Sequence, residues 1–299
     1  MTTSSRREFL GQCMLIGGAG VAAGPLGSAL AQAADAPGGK MRFGLVTYQW
    51  GKDWDLPTLM AHCEQSKVLG VELRTTHKHG VERELNAAQR AEVKKRFDDS
   101  PVTLVGIGSN ERFDSPDADT LAQALEATKD FIKLSHDVGG SGVKVKPNSF
   151  HKGVPHTVTI DQIGKCLNIL GAFGADYGQQ IRLEVHGECS ELPIMAQIME
   201  VAEHPNVAVC WNSNARDLEG EGLEHNFNLV KDRMGDTVHI RDLRTTGYPW
   251  QELMGLFVKM DYAGWILLEA STKCEDPVKD LAEQQTIWKK LVAQAAQET

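Results

Sequence analysis

The sequence predicts a (β/α)8 barrel. Three observations carry the prediction. Short runs rich in Val, Ile and Leu alternate with longer helical stretches from residue 41 onward, one pair about every 30 residues. That alternation marks parallel strands joined by helical crossovers. The first strand ends in VTYQWGKDW, without the GxGxxG turn of an open dinucleotide-binding sheet. Charged residues also gather toward the C-terminal ends of the strands, at the mouth of a closed barrel.

The elements follow in order. RFGLVTY from residue 42 is the first strand, and DLPTLMAHCEQSKVLG the first helix, with Pro57 in its opening turn. GVELRT from 70 and TLVGIGS from 103 are strands two and three. SPDADTLAQALEATKDFIKLS then starts a helix, with Ser115 as expected N-cap and Pro116 next. Strands four to eight are GVKVKP from 142, IRLEVHG from 181, VAVCWN from 207, TVHIRDL from 237 and GWILLEA from 264. DPVKDLAEQQTIWKKLVAQ closes the fold, with Asp276 and Pro277 as its start signal.

Residues 1–33 carry Arg6 and Arg7 before a Gly/Ala-rich apolar run ending in Ala31-Gln32-Ala33. This reads as a twin-arginine signal peptide, followed by a linker over 34–40 and the barrel over 41–299. The expected location is the periplasm, with no membrane association once the signal is cleaved. A formal net charge of −9 argues against nucleic acid as a partner. The five cysteines outside the signal have no CxxC spacing; they read as small buried hydrophobes, with room for one disulfide. A homo-oligomer or a partner subunit completing the site is compatible with this reading.

Alternate residues of a strand share a face. Arg182, Glu184 and His186 therefore oppose Ile181, Leu183 and Val185. By the same rule Glu72 and Arg74, Lys144 and Lys146, Cys210 and Asn212, His239 and Arg241, and Leu267 and Glu269 fall in pairs on one face. Arg74, Arg182 and Arg241 suit ion pairs as well as they suit function. Glu184, Asn212, His239 and Glu269 come from four consecutive strands, 28, 27 and 30 residues apart. Three oxygen donors and one imidazole at matching depth suit a divalent metal with open coordination positions. Manganese is the first choice, with magnesium, cobalt, iron or zinc as alternatives.

GVELR, LEVHGE, CWNSN, VHIRDL and LLEAS together resemble the xylose-isomerase-like barrel superfamily, the sugar phosphate isomerase/epimerase group. The resemblance implies a metal held by Glu184, Asn212, His239 and Glu269, with Asn212 standing where the family has Asp. It also implies that Glu184 and Glu269 double as an acid/base pair. The reaction so implied removes a proton next to a sugar carbonyl and passes through an enediolate. Two alternatives stand beside it: a lyase releasing the aglycone of a 3-keto-glycoside at the same metal site, and a non-catalytic sugar-binding barrel. His186 and Lys146 are the next proton carriers, and Glu72, His79, Arg241 and Trp50 the expected substrate contacts. The expected ligand is a small carbohydrate.

Overall fold

The computed structural model describes residues 37–298. The expected signal peptide, and all of the linker before residue 37, lie outside them. Eight parallel strands run in chain order: β1 Arg42–Val46, β2 Gly70–Arg74, β3 Thr103–Arg112, β4 Gly142–Lys146, β5 Gln180–Glu184, β6 Val207–Cys210, β7 Thr237–Ile240 and β8 Trp265–Leu268. Eight α-helices follow them in turn: α1 Leu56–Ser66, α2 Ala87–Asp98, α3 Ala118–Val138, α4 His156–Asp176, α5 Leu192–Val201, α6 Leu223–Val230, α7 Trp250–Lys259 and α8 Pro277–Glu298.

The ladder runs from β6 through β1 and β8 to β7. The last gap closes through bridges pairing Val209 with Met234 and Asn212 with His239. The His239 N–H donates to the Trp211 carbonyl at 2.7 Å, and the Ser213 N–H to the His239 carbonyl at 3.1 Å. The predicted (β/α)8 barrel is the fold observed.

Helix starts follow the capping logic, with one correction. The α3 cap is Asp117, whose Oδ1 accepts from the Thr120 N–H at 2.8 Å. Ser115, the predicted cap, lies two residues early and instead accepts the Asp117 N–H at 3.2 Å. Asp276 before Pro277 performs as expected, accepting from the Lys279 N–H at 3.1 Å.

One large apolar cluster fills the space between strands and helices, and a second, of Val46, Val105, Trp265 and Leu267, lies apart from it. The large side chains of β8 fit because glycines face them. A Cβ on Gly70 would stand 2.2 Å from the Trp265 ring, and one on Gly44 2.6 Å from Leu267. Gly70→Ala is therefore expected to cost roughly 3 kcal/mol in urea unfolding; an unchanged midpoint would contradict this packing.

Arg182 is fully buried. Its guanidinium donates to the Val105 carbonyl at 3.2 Å and to Ser141 Oγ at 2.8 Å, with Asp236 at 3.8 Å. Of its two open readings, the structural one fits. The five cysteines in the described residues are all free, so the disulfide allowed for above is not formed. No helix among the described residues is long and apolar enough to cross a membrane.

Candidate metal and active site

Strand register brings the site together. Glu184 pairs with Cys210 across β5 and β6, Asn212 bridges to His239, and the Glu269 N–H donates to the Ile240 carbonyl at 2.7 Å. The four candidate ligands thus leave neighbouring strand ends at one level. One ligand atom from each of Glu184, His239 and Glu269 lies within 4.8 Å of the other two. Asn212 Nδ2 donates to Glu184 Oε1 at 2.7 Å and to Glu269 Oε2 at 3.0 Å.

His239 stands upright between two sets of carboxylates. Its Nε2 lies 3.2 Å from Glu72 Oε1. Its Nδ1 lies 3.8 Å from Glu184 Oε1 and 3.7 Å from Glu269 Oε2. Burial opposes protonation of the ring, but the Cys210 sulfur and the surrounding carboxylates outweigh it and raise the pKa well above the ordinary value. Glu72 is fully buried beneath the histidine. It is placed to orient the imidazole, as a carboxylate behind a metal-ligating histidine does, and solvent does not reach it. The expected role for Glu72 in touching substrate is therefore withdrawn.

Lys144, an inward-facing residue absent from the candidate set, turns out to be central. Its Nζ lies 2.7 Å from Glu184 Oε2, with both side chains 1% exposed. Burial opposes ionisation of Glu184, yet Lys144 and His239 hold its carboxyl well below the usual range. Lys146 sits higher, its Nζ donating to Asn110 Oδ1 at 3.2 Å. Burial, with Lys144 beside it, lowers the Lys146 pKa to about 8.

The remaining candidates divide. His186, half-buried, and Arg241, exposed, line a cavity of about 470 Å³ together with Asn212, Asn214 and Arg216. Burial lowers the His186 pKa, and its Nδ1 has no partner. Trp50 is elsewhere: it lines a separate cavity of about 420 Å³ between the loops after β1 and β8. It is 1% exposed, and its indole N–H donates to the Thr272 carbonyl at 2.8 Å. His79 is committed to backbone at both nitrogens, 2.8 Å from the Arg74 carbonyl and 3.0 Å from the Val81 N–H. Neither ring has a free polar atom for substrate.

A divalent ion fits the donor set. Glu72, Glu184 and Glu269 set three carboxylates around Lys144 and a His239 ring whose proton they hold. A divalent ion bound there would displace that proton and take over its counter-charge. His239 Nδ1 is buried without a hydrogen-bond partner, facing the two glutamates.

A family model for the xylose isomerase-like TIM barrel matches residues 60–291. The chain belongs to the xylose isomerase-like TIM barrel family. Among solved structures, this family member is similar to 3-keto-D-glucoside 4-epimerase YcjR from E. coli. The identity is 13% and the TM-score 0.71, over 84% of this chain and 99% of that one. It is also similar to an L-ribulose 3-epimerase, at 14% identity and TM-score 0.73, over 86% of this chain and 96% of that one. A third is the D-psicose 3-epimerase of Clostridium cellulolyticum H10, at 15% identity and TM-score 0.66, with coverage of 86% and 96%. At these identities the likeness is one of fold. No curated protein sequence matches the chain.

Beside the site, the 3-10 turn at Ala215–Leu218 carries Asp217, which is fully buried. Its Oδ2 accepts from Tyr248 Oη at 2.6 Å and from the Asn214 N–H at 2.8 Å. Burial nonetheless pushes its pKa up to about 7 from an ordinary 3.8. The folded state thus holds this proton more tightly than the unfolded chain. The resulting stabilisation is complete below the ordinary value and is lost as pH rises through about 7. Urea unfolding at pH 5 and pH 8 should show this fall in the native protein and a smaller one in Asp217→Asn.

Proposed function

We propose that the protein is a sugar isomerase or epimerase that removes a proton next to a sugar carbonyl, with a divalent ion as cofactor. The observation that carries this reading is the convergence of Glu184, His239 and Glu269 within 4.8 Å at the barrel mouth. The family and the epimerase folds it resembles support the same chemistry.

Glu184, His239 and Glu269 would hold the ion, with the Asn212 carbonyl oxygen joining once its amide turns over. When bound, that ion supplies Lewis-acid polarisation of a sugar carbonyl and a neighbouring hydroxyl. The chain's own groups supply the rest. Glu269, the more open of the two glutamates at 13% side-chain exposure, takes the proton from carbon. The electrons of that C–H bond pass toward the carbonyl oxygen and leave an enediolate. Glu184 is held ionised by Lys144 and is a weak donor. His186, whose ring lines the cavity and is kept neutral by burial, would relay the returning proton, giving one from one ring nitrogen as the other takes one from solvent. Arg241, which lines the cavity, and Lys146 would bind sugar oxygens.

The test is incubation with a free ketose and with a 3-keto-glucoside, with and without chelator. An epimer or isomer whose formation stops with chelator supports the proposal. Sugar binding without turnover would replace it with the binding-only reading. Asn212→Asp adds a negative charge to the donor set, so calorimetric titration should find manganese bound at least about tenfold tighter. An unchanged affinity would remove Asn212 from the ligand set.

A further inference from the structure

A second cavity, of about 620 Å³, adjoins the first and shares Arg216 with it. Phe150, His151, His156, Glu188 and Ile194 are among its lining residues. Phe150 and His156 stack with ring centroids 3.7 Å apart and planes within 12°. The loop that presents Phe150, just ahead of His156 at the start of α4, is fixed from several sides. The Phe150 N–H donates to Glu188 Oε2 at 2.9 Å, and the Ser149 N–H to Asp114 Oδ2 at 3.2 Å. His151 Nε2 meets the same Asp114 oxygen at 3.2 Å, and Asp114 is buried. Asn148 bridges to Gly187, which lines the first cavity. Arg216 stands between the two spaces, donating to the Glu188 carbonyl at 3.0 Å.

A single sugar ring in the first cavity would leave this second cavity unused. Its aromatic pair, held in place and rimmed by charged side chains, suits the apolar face of a ring with polar edges. We propose that the second cavity receives the aglycone ring of a glycoside whose sugar ring lies in the first. The proposal rests on the carbohydrate reading above and narrows its substrate class from free sugars to glycosides. Phe150 and His156 then set specificity without touching the reacting atoms.

Calorimetric titration of the manganese-loaded protein tests it, with glucose, phenyl β-glucoside and cellobiose as probes. At least one glycoside should bind about tenfold tighter than glucose. The phenyl and sugar arms identify which ring the cavity prefers. Phe150→Ala and the exposed His156→Ala should each reduce that preference to within about threefold. Far-UV circular dichroism checks that both variants are folded. Glycosides binding no tighter than glucose, or a preference surviving both substitutions, overturns the proposal while leaving the carbohydrate reading standing. Failure of all three sugars to bind overturns both.

Discussion

Glu269→Gln should remain folded and lose at least about 10³-fold in turnover. The side chain is 13% exposed rather than sealed in the lumen, and a glutamine can still accept the Asn212 amide hydrogen that now reaches Oε2 at 3.0 Å. What the substitution removes is the charge. A neutral amide cannot take a proton from carbon, and it weakens the ligand set around His239. The two consequences separate by measurement. If manganese at saturating concentration restores the metal content but not the turnover, the lost function is proton transfer. Full activity in this variant would take Glu269 out of the mechanism altogether.

Lys144→Met is expected to be the most damaging change to stability, at about 3–5 kcal/mol in urea unfolding without added metal. Glu184 and Lys144 are both 1% exposed and 2.7 Å apart. Removing the ammonium strands a carboxylate that no water reaches, beside Glu72 and Glu269. A bound divalent ion would replace the missing charge, so manganese should recover a large part of the loss through binding only the folded state. A loss below about 1 kcal/mol would mean that Glu184 is not ionised in the lumen.

Much of this was legible in the sequence, because strand alternation reports faces. All eight strands stand where their β-branched runs lie. Four side chains one βα unit apart meet at one level because parallel strands in register must bring them there. Alternation does not report depth or reach. Lys144 pairs in register with Arg182, one layer below Glu184, and only its long side chain carries the ammonium up to the carboxylate. Glu72 likewise leaves β2 opposite Gly106 and supports His239 from below instead of touching a ligand. Trp50 and His79 sit on loops, where no periodicity shows which backbone group will claim their polar atoms. Phe150, His151 and Asp114 come from loops after different strands, and no spacing in the chain joins them.

The most direct test is proton exchange in deuterated water. Incubated with manganese and a ketose or 3-keto-glucoside, the protein should exchange the hydrogen beside the carbonyl for deuterium, followed by proton NMR. Glu269→Gln should abolish the exchange. Product formed without any deuterium at that carbon, or exchange undiminished in Glu269→Gln, would contradict the account.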